Sequence, residues 1–307
     1  MKNFSIKSAE RQRLDEFLQK KVPELIQKDV SKSKIRRMII AGSVSVNGNQ
    51  VRIPAFVVRE NSKISILIDE DKLFYEKTPD DIKFDLTKKD VLFEDESIIV
   101  VNKPAFFPTE AGMVGSRDNL HAAVVRYLWS ENPTLRNPPY AGIMHRLDRE
   151  TSGVILFTKK RDANAPCHEM FEKHTATKIY RAVVSAEPSE SKFSVKMLMG
   201  RISPKSQAAK WGKLTKDGLP SETDFSVVGN GFIGSRKVFF VECRPLTGRT
   251  HQIRVHLSSV GLPILGDELY GGKNHTRIML HAKTLTFPHP VTGENVTVSA
   301  PLPEGFY

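Results

Sequence analysis

Apolar and polar positions along the chain change period several times, and each change marks an element. Over residues 8–20, Leu14, Phe17 and Leu18 recur at helical spacing and predict a first helix. Ser31 or Ser33 is placed to cap a second helix that ends before Gly42. Ile35, Met38 and Ile39 form its apolar stripe, while Lys32, Lys34, Arg36 and Arg37 take the rest of the cylinder. Residues 43–46 alternate, Asn47-Gly48 is a turn pair, and Gln50 to Ile53 reads as the returning strand. Asn-Gly between alternating segments is a strong hairpin signal. Lys63 to Ile68 alternates again and predicts a strand, and the charge-dense stretch that follows, with Pro79, reads as a linker.

Beyond it, Val91 to Phe93, an Asp95-Glu96 turn and the apolar run Ile98 to Val101 predict a pair of strands. Asp118 is the expected cap of a helix reaching about Trp129. Gly153 to Thr158 reads as a strand, Asp162 to His174 as a helix and Lys178 to Val184 as a strand. Phe225 to Val228 and Lys237 to Val241 look like paired strands. Thr250 is the expected cap of a last helix with Ile253, Leu257 and Val260 on its apolar face, closed by Gly261 and Pro263. Strands and helices do not alternate strictly, so the pattern favours α+β over a doubly wound parallel sheet. The expected division is a small α/β domain over 1–70, a linker over 71–90 and a larger domain over 91–307.

Charge sharpens this division. The chain carries 46 Lys plus Arg against 35 Asp plus Glu, a net of +11. The first 70 residues hold 14 Lys/Arg and 8 Asp/Glu, so +6 of the surplus sits in under a quarter of the chain. A basic surface attracts polyanions, which makes nucleic acid the first candidate partner. Only Cys167 and Cys243 occur, which argues against a disulfide framework and fits a reducing, cytoplasmic setting. No Cys-x-x-Cys pair suggests a zinc site, no apolar run approaches the roughly 20 residues of a membrane span, and no signal peptide is visible.

Three stretches carry candidate chemistry. Gly229-Asn230-Gly231-Phe232-Ile233-Gly234 matches a dinucleotide fingerprint, but a strand follows where that motif needs a helix, so a hairpin loop is expected. Cys167, His168 and His174 do not share a helical face well enough to suggest a metal site. The densest stretch is His145-Arg146-Leu147-Asp148-Arg149-Glu150-Thr151-Ser152-Gly153, charged residues packed before an apolar strand. Taken alone, such a stretch is most often a surface turn laced with ion pairs.

Two further segments change its weight: Leu246 to His256, with several polar residues at a helix start, and Lys178-Ile179-Tyr180-Arg181-Ala182. Together with Asn102-Lys103-Pro104, Gly266 to Gly272 and Leu280-His281-Ala282, they resemble the RluA-type family of pseudouridine synthases over most of residues 90–305. Lys34 to Gly48 resembles the alpha-L RNA-binding domain of a small-subunit ribosomal protein, over roughly residues 12–60.

The resemblance implies a pseudouridine synthase fold, a mixed and largely antiparallel sheet with flanking helices. It implies Asp148 as the catalytic carboxylate, Arg254 as its partner, and Tyr180 packed on the target uracil and helping to remove its proton. Leu280 is then a pocket wall, and Arg146 enters the space left by the extruded base. Lys34, Arg36 and Arg37 are the expected phosphate contacts of the first domain. One departure stands out. Where the family usually has a Gly and then a His after Asn-Lys-Pro, this chain has Phe106 and Glu110.

The chemistry fits these residue types. The reaction breaks a uracil–ribose bond and rejoins the ring through carbon 5, gaining no electrons or groups, so no cofactor is expected. It needs an ionised carboxylate, and a free Asp with a pKa of about 3.9 is ionised at neutral pH. Desolvation opposes that charge and a neighbouring Arg restores it. The expected partner is RNA, with large-subunit ribosomal RNA as the default target, and the expected state is a monomer. The competing reading is a non-catalytic RNA-binding or ribosome-assembly protein with the same fold. A retired enzyme would have no need of Asp148, Tyr180 and Arg254 together.

Overall fold

The computed structural model describes residues 2–68, 73, 82–110, 118–204 and 209–306. These fall into two compact units, one within the first 73 residues and one from residue 82 onward.

In the first unit, β1 (Lys2–Lys7), β2 (Gln12–Arg13), α1 (Leu14–Ile26), α2 (Lys32–Ile40), β3 (Val44–Val46), β4 (Asn49–Gln50), β5 (Val57–Val58) and β6 (Lys63–Ile68) follow in order. The strands form a sheet in the order β1-β6-β3-β4 with a separate β2-β5 pair. The first helix is displaced from its expected span. Residues 8–13 are taken by Ser8, bonded across to Ser62, and by the β2 pairing, so the helix starts only at Leu14. It then runs through Pro23 to Ile26. Interior proline costs a helix about 3 kcal/mol. Val22 and Ile26, both buried, offset it with roughly 1.5–3 kcal/mol each.

The second helix forms as the pattern predicts. Ser31 caps it through its hydroxyl, and Ile35, Met38 and Ile39 are buried. Asn47 and Gly48 take φ of 51° and 86°, the two positive values that a two-residue hairpin turn requires. The returning strand is shorter than expected. Pairing covers Asn49–Gln50 and stops short of Ile53, where Pro54 follows with no N–H to offer a ladder.

The second unit contains β7 (Val91–Glu94), β8 (Ile98–Lys103), α3 (Leu120–Ser130), β9 (Gly142–Ile143), β10 (Ser152–Thr158), α4 (Asn164–Glu172) and β11 (Thr177–Val184). Then follow β12 (Lys192–Arg201), β13 (Trp211–Leu214), β14 (Leu219–Ile233), β15 (Arg236–Pro245), α5 (Gln252–Ser259), β16 (Leu280–Pro288) and β17 (Asn295–Ser299). The strands build one mixed sheet in the order β13-β12-β14-β15-β11-β16-β10-β8-β7, with β17 on β16 and β9 on β10. Every pairing is antiparallel except β10 with β16. The architecture is α+β.

Four local expectations need correction. Part of the stretch read as linker, residues 82–90, packs in this unit: Leu86 is buried, Phe84 meets Phe107 edge-on, and Thr87 and Asp90 form a capping box. Asn119, not Asp118, caps α3, because Asp118 is engaged by Arg126 at 2.9 Å. Gly229 to Ile233 is strand rather than loop, since β14 and β15 stay paired out to Ile233 and Arg236. Thr250 does not cap α5; His251 occupies that position with φ 55°, and the Gln252 side chain accepts the Arg249 N–H instead.

The parallel β10–β16 contact explains one glycine. A Cβ on Gly153, whose φ is 117°, would lie 2.1 Å from the Ala282 carbonyl oxygen, so only glycine permits the approach. That approach sets the end of the loop carrying Asp148 directly against the start of β16, where Leu280 lies.

Candidate active site

Residues 145–151 form the loop that leads into β10, and three groups pin it. The Thr109 hydroxyl donates to the Leu147 carbonyl at 2.9 Å and accepts from the Leu147 N–H at 3.3 Å. Lys103 is fully buried, and its ammonium donates to the carbonyls of Pro104, Phe107 and Arg149 at 2.9, 2.7 and 3.0 Å. Burial lowers its pKa to about 7, while the charges of Glu150 and Asp148 pull the other way. The His145 Nε2 accepts the Leu156 N–H at 3.1 Å, so the ring is neutral with its proton on Nδ1, and burial takes its pKa to about 3.

The loop forms one wall of a cleft of about 960 Å³. That is the upper end of the range for small-molecule sites. Asp148, Tyr180, Arg254, Leu280 and Arg146 all line it, so the five residues expected to meet there do meet. They come from four separate segments: the 145–151 loop, β11, α5 and the start of β16.

At the centre, Arg254 Nη1 lies 3.3 Å from Asp148 Oδ2 and 4.0 Å from Glu150 Oε2. Arg254 is nearly fully buried, and its strongest partner is a residue that sequence reasoning did not single out. Asp267, buried, accepts from Nε at 2.7 Å and from Nη2 at 2.9 Å. These carboxylates outweigh burial and raise the guanidinium pKa further, so Arg254 is a permanent cation. The Tyr270 ring lies 5.2 Å from the guanidinium carbon. Asp267 and Tyr270 sit in the Gly266 to Gly272 motif, which was legible as a motif but gave no sign of which helix it would meet. Gly266 has φ 85° with no room for a Cβ against the Arg277 carbonyl, and so sets the turn that aims Asp267.

Tyr180 is half-buried, in the cluster that contains Leu280. Burial, and after it the charge on Asp148, raise the phenol's pKa, so it is protonated at neutral pH. Leu280 is buried on the opposing strand. Arg146 is exposed at the rim and forms an ion pair with Glu110. Phe106 has φ 62°, a conformation that favours glycine, and the Arg149 guanidinium lies over its ring at 5.4 Å. Both departures from the family pattern therefore touch residues of the 145–151 loop.

Lys34, Arg36 and Arg37 lie on α2 in the first unit, with Arg36 exposed and the other two half-buried. The Cys167 and His168 side chains diverge, the thiol buried and the ring exposed.

A family model described as RNA pseudouridylate synthase matches residues 97–259, more than half of the chain. The chain belongs to the RNA pseudouridylate synthase family. An S4 domain matches residues 12–64. Among its relatives in this family is the ribosomal large subunit pseudouridine synthase C of Pasteurella multocida, 33% identical over 95% of this chain and 87% of that protein. The Escherichia coli K12 protein of the same name is 33% identical over 96% and 90%. Human RNA pseudouridylate synthase domain containing 1 superposes with a TM-score of 0.57 at 28% identity, over 69% of this chain and 82% of that one. Human RNA pseudouridylate synthase domain containing 4 gives 0.57 at 25%, over 71% and 90%. The family model's residues 97–259 include Asp148, Tyr180 and Arg254. Among the described residues, no helix of this synthase is long and apolar enough to cross a membrane.

Proposed function

We propose that this synthase isomerises uridine to pseudouridine in large-subunit ribosomal RNA, with Asp148 as the reacting carboxylate. The observation that supports it is the position of Asp148: in a cleft of about 960 Å³, 3.3 Å from a buried guanidinium, beside Tyr180 and Leu280. The 33% identity to two large-subunit pseudouridine synthases over most of both chains favours that RNA class.

In this reading the target nucleotide leaves its stack and enters the cleft, at a cost of a few kcal/mol. Tyr180 takes one face of the uracil, worth roughly 1–3 kcal/mol, and Leu280 lines the other side. The phenol, protonated in the free protein, serves as a stacking surface first. To take the C5 proton it must first give its own away, and N1 of the detached ring is the acceptor that needs one, so that exchange comes after the glycosidic bond has broken. Asp148 acts on the ribose, as nucleophile at carbon 1′ or as base, and both roles begin from the same ionised oxygen. The N1–C1′ bond breaks, the ring turns, C5–C1′ forms, and the C5 proton is lost as N1 gains one. Nothing else is consumed, so Asp148, Arg254 and Tyr180 suffice without a cofactor.

Arg146 fills the gap left in the RNA. The first unit, taken as residues 1–70, adds phosphate contacts through Lys34, Arg36 and Arg37. The protein works as a cytoplasmic monomer. Mapping pseudouridine in total RNA from cells with and without the protein tests the assignment. Loss at a large-subunit uridine supports it; loss confined to transfer RNA, or no loss, overturns it.

A further inference from the structure

We infer that His251 is a positioning residue for Asp148, holding Oδ2 together with Arg254 so that Oδ1 is the oxygen that reacts. This rests on the reading of Asp148 given above. Asp148 Oδ2 has two cationic or N–H neighbours, Arg254 Nη1 at 3.3 Å and His251 Nε2 at 3.8 Å. Among the described residues, Oδ1 has no hydrogen-bond or ion-pair partner. One carboxylate oxygen is tethered and the other is left without a partner among the described residues.

The tautomer of His251 follows from its other side. Its Nδ1 lies 2.8 Å from the Tyr270 hydroxyl, and that hydroxyl accepts the backbone N–H of Trp211 at 3.1 Å. Burial raises the Tyr270 pKa, so the phenol keeps its proton, and His251 Nδ1 is the acceptor within reach. With Nδ1 accepting, the ring proton is on Nε2 and points toward Oδ2. The opposite tautomer would set an Nε2 lone pair against a carboxylate and give the phenol two donors and no acceptor. The charged and titratable groups around the ring are Asp148, Glu150, Arg254, Asp267 and Tyr270. Burial lowers the His251 pKa more than the carboxylates raise it, so the imidazole is neutral at neutral pH. The 3.8 Å separation exceeds a hydrogen bond, and such contacts tighten when substrate closes the site.

The backbone reports the same demand. His251 has φ 55°, a left-handed conformation uncommon outside glycine. It does not cap α5 with its side chain.

The test compares His251→Gln with His251→Asn in the full chain. The glutamine amide nitrogen reaches the Nε2 position, whereas the asparagine nitrogen reaches only Nδ1. A backbone role favours asparagine, so the two hypotheses predict opposite orders. His251→Gln should keep kcat within a few-fold, and His251→Asn should lose about tenfold to hundredfold, the worth of a hydrogen bond to a charged group. KM should be unchanged in both. Nitrogen-15 spectra of labelled histidine should show the Nε2–H form of His251, lost in Tyr270→Phe. An asparagine variant as fast as the glutamine variant, or an Nδ1–H ring, overturns the inference. Asp148→Asn separates the two levels. If it retains turnover, the reading of Asp148 fails; if it is inactive while the His251 variants are indistinguishable, only the role of His251 fails.

Discussion

Arg254 is clamped along one edge by Asp267, with Nε 2.7 Å from Oδ2 and Nη2 2.9 Å from Oδ1, and only its Nη1 corner reaches Asp148. The cation beside the Asp148 carboxylate is thus held in place by Asp267. A bidentate guanidinium–carboxylate pair has one planar geometry, so Arg254 cannot swing away to follow Asp148.

Removing half of that clamp should be costly in two ways. Asp267→Asn leaves a buried guanidinium short of one charge, and breaking a buried pair costs about 3–5 kcal/mol. Denaturant melts should show a loss of that order, and the folded fraction should turn over more slowly with unchanged RNA affinity. Arg254→Met should likewise lose turnover far more than binding. Equal losses of turnover and RNA affinity in single-turnover and filter-binding assays would refute the assignment of Arg254.

Much of this arrangement was legible in the chain. The α2 stripe, the Asn47-Gly48 hairpin, the buried β8 and the residues that gather around Asp148 follow from local patterns and motif order. What was hidden depended on long-range pairing. β10 and β16 meet 129 residues apart, at Ser152 and His281. The partner of Arg254 lies in a different motif, and no spacing rule links α5 to Asp267. The α5 helix was read as having an apolar face of Ile253, Leu257 and Val260, yet Arg254 and His256 are as buried as Ile253 and Leu257, while Val260 is exposed. A polar residue buried by tertiary contacts looks like a surface residue in one dimension. The start of α1 was missed for a similar reason, since β2 pairs with a strand about 45 residues on.

Acid should destabilise the second unit through its histidines. His145, His256 and His281 have pKa values of about 3, 4 and 3, all lowered first by burial. An unfolded histidine titrates near 6.5. Between these values the unfolded chain binds protons that the folded one does not, so stability is full above about pH 6.5 and falls toward pH 4. Each group contributes up to about 1.4 kcal/mol per pH unit in that window. Denaturant midpoints should drop from pH 7 to pH 5, and His256→Gln should flatten the slope by close to one proton. A slope unchanged in that variant would count against a neutral, buried His256.

The first unit should register in salt dependence. If Lys34, Arg36 and Arg37 meet phosphates, Arg36→Ala should weaken binding to all RNAs alike and reduce the slope of log affinity against log salt by about 1. Turnover on bound RNA should stay near wild type. A slope that does not move would remove Arg36 from the interface.

The Glu110–Arg146 pair makes a prediction about access. Arg146 is exposed at the cleft rim and engaged by Glu110. If Arg146 enters the RNA, its guanidinium has first to leave that carboxylate. Glu110→Gln should therefore raise RNA association severalfold at low salt and lose that gain at high salt, because exposed ion pairs are screened. Stopped-flow association rates measure it, and a variant that binds more slowly would reverse the sign of the argument.

The central claim is that the Asp148 carboxylate performs the isomerisation. Nucleoside mass spectrometry of ribosomal RNA incubated with the wild-type protein or with Asp148→Asn tests it directly. Pseudouridine should form with the wild type and not above background with the variant, at equal RNA occupancy. Pseudouridine formed by Asp148→Asn at a rate near wild type would contradict it.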